Sequence, residues 1–296
     1  MATTLKNRKF LALLLTALLV TYVLPFPLIN GFLQDYSRLK QIRERMLREN
    51  EAIVCHNVFD VNPDFFGSHG MECNDEYYRP DERTATVDGL TVYQDTYYEY
   101  LKAKRNLQRE LRAFVLFVIF AFLTLLGFSY AMVDLAVGLS EGNEKRPLES
   151  ILSGLRSIPA LVASEILVFI VMILVLMLLA IPIAVLGPFG GFVAGLIASP
   201  AFALVVPAYY FTKKIGPVGE IWGVVKGNPG GYFTLGLGLA VLETLTVLGY
   251  GTYFGIGTLL LMLMVGGLRY LLGSLGALWV YLDTPLKENQ EKRPSV

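Results

Sequence analysis

Charge is missing from four long stretches of this chain. No Asp, Glu, Lys or Arg falls at 10–34 or 166–212. Asp134 alone interrupts 113–140, and Glu243 and Arg269 alone interrupt 227–282. A helix needs about 20 apolar residues to cross a hydrocarbon core of about 30 Å. The stretches at 10–34 and 113–140 hold one such helix each, and those at 166–212 and 227–282 are each long enough for two. The pattern predicts six transmembrane helices, near 10–32, 113–137, 159–186, from the following turn to about 211, 232–250 and 256–282. Gly187, Pro188, Phe189, Gly190 and Gly191 mark that turn, and 251–255 a second one, because Gly and Pro punctuate helices. Pro25 and Pro27 are expected to kink or end the first helix. A cleaved signal peptide is the competing reading of residues 6–32, but the apolar run is long for one and lacks an Ala-x-Ala-like site.

Residues 33–112 are polar and carry a different pattern. Leu39, Ile42, Met46 and Ile53 recur at helical spacing, and so do Tyr97, Leu101, Leu107, Leu111 and Phe114. Two such stripes predict an antiparallel helical stalk. Between them, 84–87 and 90–93 flank Asp88-Gly89, a strong hairpin signal. The expected fold class is therefore all-α integral membrane: a six-helix bundle with a small extracytoplasmic α+β domain between spans 1 and 2. The expected divisions are 1–32 (N-terminus and span 1), 33–112 (stalk and cap), 113–282 (five-helix core) and 283–296 (tail).

Orientation follows from Lys and Arg in short flanks. Lys6, Arg8 and Lys9 precede span 1. Lys145, Arg146 and Arg156 lie between spans 2 and 3, and Lys213, Lys214 and Lys226 between spans 4 and 5. The opposite turns carry none, so both termini are expected in the cytoplasm of a multi-pass cell-membrane protein. Net charge is zero, with 25 basic and 25 acidic residues, which gives no reason to expect a nucleic-acid partner. The lipid bilayer is the expected partner.

The two cysteines, Cys55 and Cys73, lie in the outer segment and are expected to form a disulfide. His56 and His69 beside them make a metal site the rival, although the spacing does not match a usual zinc pattern. Asp60, Asp64, Glu72, Asp75, Glu76, Asp81 and Glu82 suit a solvated acidic face better than a calcium loop. Within the spans, ionisable groups are costly and therefore candidates for function. Glu243 and Arg269 sit at comparable depth on adjacent antiparallel helices and are expected to form an intramembrane ion pair. Asp134 and Glu165 are the further acidic candidates.

Gly138, Ser140 and Gly142 fit Gly-x-Ser-x-Gly, but the motif ends a membrane helix rather than a strand, and neither histidine is expected on that side. No phosphate-loop, dinucleotide or His-Glu-x-x-His motif occurs. No catalytic residue, cofactor or metal is implied.

The run from Gly142 to Ser150, the run Leu155-Arg156-Ser157-Ile158-Pro159, the Val206-Pro207-Ala208-Tyr209-Tyr210 end of span 4 and the run from Val218 to Asn228 together resemble a family of prokaryotic and archaeal polytopic membrane proteins. That family is related to the membrane domain of glycerophosphodiester phosphodiesterases. The resemblance implies a polytopic core with two short cytoplasmic helices and no defined activity. One span, a large outer domain and five further spans also resemble ABC-2-type permeases. In that comparison 147–157 occupies the place of the helix that docks on an ATPase. The expected function is a non-enzymatic component or scaffold of a membrane complex, with a permease subunit working beside a separate ATPase as the alternative.

Overall fold

The computed structural model describes residues 6–61, 73, 75–142, 145–249 and 256–285. In chain order the helices are α1 (Arg8–Leu18), α2 (Phe26–Val61), α3 (Gln94–Ser140), α4 (Pro147–Leu178), α5 (Ala180–Val185), α6 (Gly190–Thr212), α7 (Val218–Gly227), α8 (Pro229–Gly249), α9 (Ile256–Leu271) and α10 (Ala277–Asp283). Strands β1 (Thr84–Val87) and β2 (Leu90–Tyr93) precede α3. Four helical segments are long and apolar enough to cross a membrane: Gln94–Ser140, Pro147–Leu178, Gly190–Thr212 and Gly257–Asp283. The chain forms two units, Pro27–Leu116 and the remainder.

The first apolar stretch is not one helix. After α1 a π turn spans Leu19–Val23, closed by the Leu24 N–H on the Leu19 carbonyl at 3.0 Å. Pro25 follows, with no N–H to continue the ladder, and helix resumes at Phe26. The π turn places Thr21, which is fully buried. Tyr270 OH and Thr21 Oγ1 lie 2.7 Å apart, and Thr21 donates to Thr124 Oγ1 at 3.2 Å. Thr124 in turn donates to the Phe120 carbonyl. Each hydroxyl proton thus has an acceptor, and the chain of bonds ties the N-terminal segment to α3 and α9.

Elsewhere in this unit the helices meet over glycine. A Cβ on Gly154 of α4 would collide with the Gly127 carbonyl of α3, and one on Gly236 of α8 with the Leu196 carbonyl of α6. A Cβ on Gly266 of α9 would strike the Tyr22 ring. Lipid gives helices no hydrophobic reason to associate, so close backbone approach and interhelical hydrogen bonds carry the association. Tyr232 OH adds one, donating to the Ile197 carbonyl at 2.6 Å. A second π turn, Leu272–Gly276, joins α9 to α10. The sequence resemblances expect a separate short helix before span 3, but α4 runs unbroken from Pro147 with Pro159 inside it.

In the Pro27–Leu116 unit, β1 and β2 pair antiparallel from Thr84↔Tyr93 to Val87↔Leu90. Asp88 and Gly89 both take positive φ, 50° and 81°, as the two-residue turn of a tight hairpin requires. Ile42, Met46, Val92, Tyr100 and Ala103 form its core, flanked by Leu39 and Leu101. Of the two expected stripes, Leu39, Ile42 and Met46 share this cluster with Tyr97 and Leu101. Glu49 sits among them with only 2% of its side chain exposed. It accepts from Arg45 Nε (2.9 Å), Arg79 Nη2 (3.3 Å), Thr96 Oγ1 (2.8 Å) and the Tyr93 N–H (3.3 Å). Arg79 also bonds Asp95. Burial pushes the Asp95 carboxyl up, but the bonds from Arg79 and the Thr96 N–H, with the charges of Arg79 and Arg45, hold it below its ordinary value.

Cys55 and Cys73 form a disulfide, so neither thiolate is free to ligate a metal. His56 stacks on Tyr78 at 3.7 Å between ring centroids. Its Nε2 lies 2.9 Å from Asp75 Oδ1 without the alignment of a hydrogen bond. His69, Asp64 and Glu72 lie outside the described residues.

Two outcomes follow from this packing. Gly154→Ala overpacks the α3–α4 crossing and lowers stability by about 1–3 kcal/mol, measured as thermal unfolding in detergent; an unchanged midpoint would contradict the contact. In the other unit, Asp95 carries a depressed folded pKa, so its stabilisation is present above its unfolded pKa and lost as pH falls through the folded one. Amide-exchange protection of 84–103 is expected to be level above about pH 5 and to fall below about pH 4. Asp95→Asn flattens that fall.

Candidate functional site

Five elements of the bundle turn one face each toward a common cavity of about 400 Å³. The spacing is helical throughout. Phe122, Leu125, Leu126 and Ser129 come from α3; Glu165, Ile166 and Phe169 from α4; Ser199, Phe202, Ala203 and Val206 from α6; Leu239 and Glu243 from α8; and Arg269 from the last turn of α9. Steps of three and four residues put these side chains on one face of each helix. Gly273, within the π turn, completes the lining, and a Cβ there would meet nothing within 4 Å. π turns inside helices occur often at functional sites.

The volume is within the usual range for small-molecule pockets, about 300–1,000 Å³, and the mixture of aromatic walls with a few polar groups is also usual. The polar groups are the informative part. Glu165, about midway along α4, is 7% exposed and accepts no hydrogen bond from any described residue. Arg269 is the charge that acts on it. Glu243 accepts from Ser199 Oγ at 3.0 Å and lies beside Gly195, where an added Cβ would come within 3.4 Å of Oε2. Arg269 also borders a smaller cavity of about 70 Å³ with Tyr22, Thr246 and Met262.

The expected pairing of Glu243 with Arg269 is therefore only half met. The structure brings both to one cavity, but no ion pair joins them among the described residues. Glu243 turns to α6, and Arg269 stands between two cavities.

Asp134 is elsewhere and in a different state. It is 6% exposed and fully engaged: Lys145 Nζ donates at 2.7 Å, Ser150 Oγ at 2.8 Å and Tyr210 OH at 3.2 Å. Beside it, Lys213 Nζ donates to Tyr130 OH at 2.6 Å and lies 4.7 to 5.7 Å from the ring centroids of Tyr130, Tyr209 and Tyr210. This cluster latches the ends of α3, α4 and α6 together. Lys213 closes α6 in the left-handed conformation, φ 55°. Downstream, the Gly216 N–H donates to Ser164 Oγ at 3.0 Å, binding the α6–α7 loop to α4. Asp134 and Glu165, paired as candidates from sequence, thus belong to separate sites: one saturated, one open.

Ser140 of the Gly-x-Ser-x-Gly run donates to the Val137 carbonyl at 2.7 Å, satisfying the helix end. Among the described residues, no three His, Cys, Asp or Glu side chains are grouped to hold a metal ion. Sequence reasoning missed Ser129 and Ser199, since serines in apolar helices carry no signal until their neighbours are known. It also missed Glu49, which its polar surroundings conceal.

No family model, curated protein or solved structure matches this chain.

Lys145→Met removes the cation from Asp134 and leaves a buried carboxylate without its counter-charge. The expected cost is about 3–5 kcal/mol, read as a lowered unfolding temperature in detergent. The double variant Lys145→Met, Asp134→Asn is expected to recover most of it. Equal damage by single and double variants would show that the latch does not depend on charge.

Proposed function

We propose that this chain is a six-span cell-membrane protein with both termini in the cytoplasm and a disulfide-tied cap outside, and that its bundle binds a small amphiphile as a permease or transporter subunit does. The cavity carries this reading. Placing ionisable groups in a membrane-embedded interior is expensive, and a group that serves packing alone is satisfied by its neighbours, as Asp134 is. Among the described residues Glu165 and Arg269 have no such partner, and both face a space of ligand size. A passive scaffold, the first expectation from sequence, has no use for that arrangement.

The topology rests on the Lys and Arg flanks and on the disulfide, which belongs to an oxidising compartment. α1 with its π turn, and α8, supply the two spans beyond the four long apolar helices. An ATPase partner is supported by the permease resemblance and by Leu148, Leu152 and Leu155, which form an exposed stripe near the start of α4. A role as a scaffold through the cap remains the second reading, favoured by the rigid Glu49 network.

Native mass spectrometry of the full chain, released from gently extracted membranes, tests the binding reading. Wild type is expected to carry a bound small molecule. Ala203→Trp fills the cavity and is expected to lose it while retaining the unfolding temperature of the wild type. An empty wild-type protein would favour the scaffold.

A further inference from the structure

Two carboxyls, Glu165 and Glu243, and one guanidinium, Arg269, line the cavity, so with all three ionised their formal charges leave one negative charge over. Glu165 is nine-tenths buried and unbonded; Glu243 receives a single hydrogen bond, from Ser199. Charge away from water is strongly penalised unless it is paired. One guanidinium neutralises one carboxylate and leaves the other for a guest.

We infer that the cavity takes a lipophilic cation: an amphiphile with one ammonium group held at Glu165 and an apolar body against Phe122, Phe169 and Phe202. This rests on the binding reading above and adds the charge of the ligand. Aromatic faces also attract cations, so the phenylalanines favour the same guest from their own side. An anionic guest meets Arg269 but brings a third negative charge into the site. A zwitterionic lipid headgroup leaves the imbalance where it was.

Four probes of matched size decide it on the purified full chain: phenylbutyl-trimethylammonium, phenylbutanol, phenylbutane sulfonate and a short-chain phosphocholine. Binding is read by calorimetry. The ammonium is expected to bind about tenfold tighter than the alcohol, or more, with the sulfonate weakest. Glu165→Gln is expected to erase the advantage of the ammonium over the alcohol. Glu220→Gln, whose carboxylate pairs with Lys214 away from the cavity, leaves it intact. Equal affinity for ammonium and alcohol, the result if a proton balances the carboxyl, overturns the inference. So does a preference for the sulfonate or the phosphocholine. Those results leave the cavity as a binding site. Binding that persists undiminished in Ala203→Trp is different, because it removes the cavity itself from the account.

Discussion

A charge that leaves water must be compensated on the spot, and this chain meets that demand in three ways. Glu49 is compensated completely, by two guanidinium groups, a hydroxyl and a backbone amide. Asp134 is compensated by one ammonium and two hydroxyls. Glu165 has no such partner among the described residues and borders the cavity that Arg269 also lines. The first two are structural for that reason: each carboxylate accepts three or more hydrogen bonds, one of them at least from a cation, and each holds separate segments together. The third retains capacity that no described residue uses. The difference lies in the neighbours, not in the residue type.

The bundle that encloses the cavity depends on closeness at some points and width at others. Glycine at 127, 154, 236 and 266 lets α3 meet α4, α6 meet α8, and α9 meet Tyr22 with almost no side-chain padding. The cavity is lined instead by larger side chains of the same helices, Phe122, Leu125 and Phe202 among them. Gly273, like Gly191, has no such close neighbour, and it lines the open space.

Much of this was legible in the residues beforehand. The hairpin at 84–93 was, because Asp-Gly between alternating residues demands one geometry. The disulfide was, because only two cysteines exist. Glu165, Glu243 and Arg269 were visible as charges where charge is costly, and the comparable depth of Glu243 and Arg269 could be counted along the helices. Their partners could not be counted. Depth fixes position along an axis, whereas pairing depends on rotation about it, and the choice of Ser199 over Arg269 by Glu243 is a matter of rotation. The break in the first apolar stretch was signalled by Pro25, but the π turn that accommodates it was not. The merging of the expected short helix with span 3 had no signal at all, because Pro159 reads as a boundary and here is only an interior kink.

The π turn at Leu272–Gly276 has a consequence for the helix it interrupts. Such a turn winds one residue more than an ordinary one, and each residue of a helix advances about 100° around the axis. Arg269 on one side and Tyr281 on the other are therefore related by torsion as well as by distance. Shedding the surplus residue would have to turn one end against the other by about that angle, like a screw rather than a lever. Anything that grips both ends of this segment holds the azimuth of Arg269 fixed.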